Sequence, residues 1–429
     1  MLFYYTRTGV NQLELNEWLF DRLKKLNQTE EIPKKQGFTR LSFTDEEWQS
    51  RQMFREIAES LELEVREDEV GNVIARWNPT EAQKDAPALA IGSHLDTVVN
   101  GGGYDGVAGV LCGLGAVKVL KESDFIPIHP IEIISFVSEE SARFPISTLG
   151  SKAMTGTLDL PSIENVTDKA GITIKEAIES RGLVFEDIVK AERNATDFIN
   201  FVELHIEQGT RIETAEADYG AVTAIACPIR LKVSIEGMAG HTGTTPMNQR
   251  QDAFVAAAPL ISFVSEYAKQ LSAENDVPLV ATVSTAEVYP NAMNVIPGHV
   301  VFGIDIRSVD DRLKEKMKQA IEEKCQHIEA DNGVNIGIDI LVNNPSIKLH
   351  EEVHQELLDA GKRSNLTSFT LESGAGHDVM NMVHKCPAGL MFIRCKDGIS
   401  HHPDEYASIE DLEIGVNVLT SYLLMQNAE

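Results

Sequence analysis

The sequence predicts an α/β protein whose main domain is built on a mixed sheet and is interrupted by a smaller, ferredoxin-like α+β module. Three observations carry that expectation. At 429 residues the chain is longer than one compact core usually serves, so two domains are expected. Its first part reads as two helices, a hairpin and a β-α-β unit whose polar residues gather where the strands end. From about residue 214 to residue 342 the order changes to β-α-β-β-α-β, and α/β character returns afterwards. Residues 1–213 and 343–429 are therefore expected to form one discontinuous domain around an insert at 214–342.

The elements follow in order. Leu15, Trp18, Leu19, Leu23 and Leu26 recur at helical spacing, and Thr44 with Glu47 makes a capping box ahead of Trp48, Phe54, Ile57 and Leu61. Two amphipathic helices thus open the chain. Residues 63–67 and 72–77 flank a Val70-Gly71 turn as hairpin strands do, and 88–92 is a short apolar strand running into Ser93 and His94. The small-residue-rich segment 107–120 reads as a buried helix, and 131–137 and 201–206 read as strands. In the insert, 221–237 reads as a strand, 251–270 as a helix, 279–288 and 300–307 as strands, 311–330 as a helix and 334–342 as a strand.

Composition narrows the partners. Lys and Arg total 38 against 66 Asp and Glu, a formal charge of −28, which repels phosphate backbones and anionic membranes, so neither nucleic acid nor membrane is expected. A small anion remains compatible, since a bound dication and one buried Arg set the local potential whatever the global charge. The segment 1–20 lacks the unbroken apolar core of a signal peptide, and no run is long enough to span a bilayer. Cys112, Cys227, Cys325, Cys386 and Cys395 are scattered without a CxxC spacing, as buried hydrophobes in a reducing cytoplasm would be. No GxGxxG directly follows a strand and no phosphate loop occurs, which speaks against nucleotide redox and phosphate transfer.

Four polar clusters stand where chemistry is expected. In the first, His94 and Asp96 lie two apart in an extended segment, so that a carboxylate can fix an imidazole's tautomer. Asp105 follows three glycines at a helix start, where an ordinary helix cap competes with a backbone folded back towards His94. The second cluster sets Glu139 and Glu140 at the mouth of a buried strand. There, one carboxylate can ligate a cation while the other accepts a proton from an attacking water. The third places His205 between Glu203 and Glu207, and the fourth is the run Gly398-Ile399-Ser400-His401-His402-Pro403. Histidines and carboxylates without cysteine ligands suit zinc, manganese, cobalt or nickel, and five such ligands with a shared carboxylate suit a metal pair.

The motifs GSHLDTVVNGGGYDG, SEESARF, ELHIEQG, GHTGTTPM, NVIPG followed by DIR, SGAGHD and GISHHPDEY run in order from residue 92 to residue 406. In these the chain resembles the carbamoylase and allantoate amidohydrolase branch of the M20 metallopeptidase-like family. The resemblance implies two divalent metal ions, with His94, Asp105 and His205 on one and Asp105, Glu140 and His401 on the other. It makes Glu139 the general base, with Asp96 supporting the site, and leaves His402 in solvent. It further implies that His241 of the insert completes a neighbouring active site across a homodimer. Asn294 and Arg307 would hold a substrate carboxylate, with Gln208 and His377 as further substrate contacts. The implied activity is hydrolysis of a linear C–N bond in a small anionic N-carbamoyl amino acid or ureido acid, the insert acting as lid and dimerisation domain. An aminoacylase, deformylase or dipeptidase using the same metals is the alternative within the superfamily. A metal-binding relative without turnover is the alternative outside it, and that reading predicts losses among ligands or base that the sequence does not show.

Overall fold

The computed structural model describes residues 12–427. Residues 1–11, part of the segment read for a signal peptide, lie outside the described residues. The chain forms two compact units. One comprises the chain up to Thr223 with Leu349–Leu371 and His377 onward, and the other comprises Ala224–Lys348 with Glu372–Gly376.

Four parallel strands make the middle of the first unit's mixed sheet, side by side in the order Ile131–Phe136, Ala88–His94, Phe198–Ile206 and Ala388–Ile393. Antiparallel strands flank them, Val73–Trp77 and Glu64–Glu67 on one side and Tyr219–Ile225 on the other. The central four are buried almost throughout, which is why they read as unbroken apolar runs rather than alternating ones. Being parallel, they end at one edge, and the residues that follow them converge there.

The helix Val107–Glu122 is buried from Val107 to Val117 and shares a core with Leu19 and Leu23 of Gln12–Asn27 and with Val416 and Leu419 of Ile409–Gln426. Its small residues answer a close approach: a Cβ on Gly109 would lie 2.0 Å from the Leu204 carbonyl oxygen of the adjacent strand. Asp45–Ser60 begins at Thr44, whose hydroxyl accepts the Glu47 N–H. The expected capping box is only half made, because the Glu47 carboxylate takes the N–H of Phe43 at 3.1 Å instead of that of Thr44.

Sequence reading assigned no element between residues 138 and 200, yet Leu149–Thr155 and Ile174–Glu179 are helices there. With Phe144, Phe185 and Ile188 they build a separate apolar cluster. A second correction concerns 221–237, which is not one strand. It divides into Tyr219–Ile225, paired with Ala388–Ile393, and Ile229–Glu236, which joins another sheet. Pro228 stands at the break, where a residue without N–H cannot continue a ladder.

The second unit is a four-stranded antiparallel sheet in the order Asn335–Asn343, Ile229–Glu236, His299–Arg307, Val280–Tyr289. Ile229, Leu231, Val233 and Ile235 alternate with exposed Arg230, Lys232 and Glu236, so one face is apolar. That face forms a single core with Ala256, Leu260 and Val264 of Ala253–Glu274 and Met317 and Ile321 of Asp311–Asn332. Among the described residues no helix is long and apolar enough to cross a membrane, and all five cysteines are free and buried.

Candidate metal centre

The polar clusters of the first unit meet at the carboxyl edge of its parallel strands. His94 ends the strand Ala88–His94, and His205 lies in Phe198–Ile206. Glu139 and Glu140 follow Ile131–Phe136, with Ser138 turned to a φ of +55°. Asp105 does not cap the helix Val107–Glu122, because Gly106 holds the cap position at a φ of +64°. A Cβ on Gly106 would lie 2.6 Å from the His94 ring, so the turn that frees Asp105 has room only for glycine. His401 comes from a loop and itself carries a φ of +56°, a left-handed conformation that costs a non-glycine residue about 1–2 kcal/mol.

Asp105 is the centre of the arrangement. Its Oδ1 lies 3.0 Å from His205 Nε2 and 3.3 Å from His94 Nε2, and its Oδ2 lies 3.3 Å from His401 Nε2. His401 Nε2 is also 3.2 Å from Glu140 Oε1. Two triplets result, His94–Asp105–His205 and Asp105–Glu140–His401, each with ligand atoms within 4.8 Å of one another and with Asp105 in both. The donors are imidazole nitrogens and carboxylate oxygens, a set that fits divalent zinc, manganese, cobalt or nickel. Backbone carbonyls orient two of the rings: His94 Nδ1 is 3.0 Å from the Asp96 oxygen and His205 Nδ1 2.9 Å from that of Ile206. With Nδ1 turned to a carbonyl, Nε2 is the nitrogen on the Asp105 side and the one that would ligate a cation.

Asp96 does more than was expected of it. Its carboxylate is 3.5 Å from His94 Nδ1, but it accepts the backbone N–H of Glu139 at 3.1 Å and of Glu140 at 3.0 Å. It thereby sets the position of both glutamates. Glu139 is 8% exposed, with Oε2 3.8 Å from His94 Nε2. Glu203 accepts from Ser93 and Val379 in the interior, and Glu207 accepts the N–H groups of Arg211 and Ile212, so neither flanking carboxylate points to the triplets.

Electrostatics follow from this crowding. Burial pushes the Glu139 carboxyl well above the usual range, with Glu140 adding to the shift and His94 opposing it. Burial also works against Asp105 as an anion, but the three imidazoles hold it well below the usual carboxylate value. Asp105 and Glu140 push His401 up to about 10. For His94, the contacts with Asp105 and Asp96 outweigh burial and raise it well above its usual value. His377 is lowered by burial and by the nearby His205 charge.

The remaining expected residues divide in two. Gln208 lies in the cluster, donating to Asp105 Oδ2 at 2.6 Å and to Ser400 Oγ at 3.2 Å. His377 is 2% exposed, its ring packed on His205 and Phe392 at centroid distances of 4.7 and 5.4 Å, so it backs an imidazole instead of facing solvent. His402 is exposed, its Nδ1 accepting from Asp404 N. His241, Asn294 and Arg307 belong to the second unit. There His241 pairs with Val295 across two short strands, and the Asn294 carbonyl accepts from Thr242. Arg307 donates to Asp305 and to the Gly374 oxygen, both at 2.8 Å.

Two buried residues of the site went unread. Glu405 accepts from the Tyr104 and Asp105 backbone and from Ser400 and His401. Its motif GISHHPDEY was legible, but two of its four partners, the Tyr104 and Asp105 N–H groups, lie 301 and 300 positions away in sequence. Arg40 is 3% exposed, donates to Leu95 O and Asn27 Oδ1, and sits in the field of Asp96, Glu405 and Asp105, with burial lowering its pKa to about 10. Nothing around it in the sequence marks it.

Comparison with known proteins places this geometry among relatives. Residues 90–425 match the description peptidase family M20/M25/M40. The chain is 37% identical over 403 residues to an N-carbamoyl-L-amino acid amidohydrolase of Geobacillus stearothermophilus, covering 94% of this chain and 96% of that one. It is 36% identical over 391 residues to the allantoate amidohydrolase of Bacillus subtilis (strain 168), covering 90% and 92%. A crystal structure of an amidase of the hydantoinase/carbamoylase family from Burkholderia multivorans is similar at a TM-score of 0.85 and 29% identity, covering 98% of each chain.

Proposed function

The chain belongs to peptidase family M20/M25/M40, and from that premise we propose that it is a two-cation amidohydrolase cleaving a linear C–N bond of an N-carbamoyl amino acid or a ureido acid. The observation that carries this reading is the pair of ligand triplets sharing Asp105, with the buried Glu139 carboxylate beside His94. In it, His94, Asp105 and His205 would hold one cation, and Asp105, Glu140 and His401 would hold the other. Bound cations would supply the charge that lowers the pKa of an attacking water and polarises the ureido carbonyl.

The protein's own groups do the rest. Glu139 takes a proton from the attacking water as its oxygen adds to the ureido carbonyl carbon, and returns it to the nitrogen whose bond to that carbon breaks. An N-carbamoyl amino acid then consumes one water and yields the free amino acid, ammonia and carbon dioxide. Bound cations would oppose the burial that raises the Glu139 carboxyl and so favour its ionised, proton-accepting form. Asp96 keeps Glu139 in reach by holding its backbone N–H. His241 is assigned to the developing oxyanion, and Asn294, Arg307 and Gln208 to the substrate, Arg307 because its planar fork matches a carboxylate. His377 serves by fixing the His205 ring.

The second unit contributes no ligand to either triplet. Its helix Ala253–Glu274 exposes Phe254 and Val255 at 51% and 61%, and Val280–Tyr289 is an edge strand. Both features support its role as the domain through which a homodimer forms. The free buried cysteines support a cytoplasmic location.

The test is ammonia release from allantoate, N-carbamoyl amino acids and N-carbamoyl-β-alanine, set against N-formyl and N-acetyl amino acids and dipeptides. Ammonia should appear only with the carbamoyl or ureido compounds, be lost after chelation and return with manganese or zinc. Turnover confined to acyl amides or dipeptides would overturn the substrate class.

A further inference from the structure

We infer that Glu405 is a positioning residue that builds one of the two cation sites, the one formed by Asp105, Glu140 and His401. This rests on the two-cation reading above. Its carboxylate is fully buried and both oxygens are committed. Oε1 accepts the backbone N–H of Tyr104 at 3.0 Å and of Asp105 at 2.9 Å, a residue 300 positions away in sequence. Oε2 accepts the Ser400 hydroxyl at 3.0 Å and the His401 N–H at 3.3 Å. One side chain thus clamps the two backbone segments that deliver the shared carboxylate and the last imidazole.

The two triplets depend on this clamp unequally. His94 and His205 are set by the sheet, with His94 in register with Phe136 and His205 with Phe392. His401 has no strand to hold it. Its loop carries three positive φ values, at Asp397, Gly398 and His401, and the His401 N–H goes to Glu405. Four donors converge on the carboxylate, and a neutral amide has one acceptor oxygen for them, so its NH2 would face N–H groups at one end of the clamp. Asp105 keeps its contacts with His94 and His205 when Glu405 is altered, so the triplet those three form loses less.

The experiment titrates metal-stripped wild type, Glu405→Gln and Glu405→Asp with manganese alone, by calorimetry and by metal content after dialysis. Wild type should bind two equivalents. Each variant should bind one with near wild-type affinity and the other about 10–100-fold more weakly, the range for losing a partner that orients a ligand. Glu405→Asp keeps the charge but is one methylene too short to span both segments, so its loss assigns the effect to reach. Unaltered binding of both cations, equal weakening of both, or a defect in Glu405→Gln alone would overturn the inference. Fewer than two equivalents in wild type would instead overturn the two-cation reading itself. If thermal melting shows that either variant does not fold, Ser400→Ala removes one Oε2 partner and should weaken the same single cation; its binding both as wild type does would likewise overturn the role.

Discussion

A carboxylate facing three imidazoles at 3.0–3.3 Å has its two oxygens drawn in different directions, Oδ1 to His94 and His205 and Oδ2 to His401. Asp105→Ala removes that shared donor and should abolish turnover and cut the bound cation content while the thermal transition survives. Full occupancy with normal rate would refute the bridging role. Glu139→Gln should keep both cations and lower kcat by about 10²–10⁴, the usual worth of a positioned general base. A drop in metal content in that variant would mean that Glu139 ligates. His94 and His205 are raised in the metal-free protein and His401 is raised to about 10, so the His401 ring carries a proton at neutral pH that ligation must displace. Cation affinity should therefore rise with pH through neutrality, and titration in buffers of different ionisation enthalpy should record net proton release at pH 7; proton uptake would contradict the sign. The candidate ligands stand out in the sequence because each sits in a short polar motif. The work of Asp96 on Glu139 and Glu140 was not legible, because a backbone N–H more than 40 residues away leaves no mark on local pattern.

Among the elements, the strands Val73–Trp77 and Ile131–Phe136 pair so that Arg76 stands opposite Glu132. Glu132 is 1% exposed and also meets Arg193, the two guanidinium groups lying 2.7 and 2.6 Å from its oxygens. Burial alone would raise its pKa, but Arg193 and Arg76 together hold it below the usual value. A depressed carboxylate contributes stability above its unfolded pKa of about 4.3 and loses it as pH falls through the lower folded value. Glu132→Ala should cost about 3 kcal/mol in urea unfolding at pH 7, the scale for removing one partner of a buried ion pair. The loss should shrink towards acid pH; a pH-independent difference would assign it to packing instead. Helix starts marked by side chains were readable in principle, as at Thr173 with Glu176 and Ser408 with Asp411, which cap Ile174–Glu179 and Ile409–Gln426. The first helix escaped reading because at six residues it is too short to show a period.

For the whole molecule, the proposal of a site completed across a homodimer makes a distinctive prediction. His241→Ala and Glu139→Gln should each be nearly inactive alone. In a mixed dimer one site then receives both lesions and the other neither. After subunit exchange up to about a quarter of wild-type activity should return, from one intact site in half of the randomly formed dimers. If exchange is demonstrated by mass and no activity returns, His241 acts within its own chain.

What the sequence by itself determined is the local grammar: apolar runs that become buried parallel strands, the small-residue helix from Val107, the alternation that gives the second unit one apolar face, and the motif-borne residues His94, Asp105, Glu139, Glu140, His205 and His401. Side-chain period and turn chemistry are short-range properties, so they survive in linear order. Only the tertiary structure decided which sheet each half of 221–237 joins, that Asp105 leaves the helix cap to Gly106, and that Glu405 joins the segment of Asp105 to that of His401. Those outcomes depend on which donors and acceptors meet after chain segments hundreds of residues apart pack together, and a buried hydrogen bond has no sequence period to announce it.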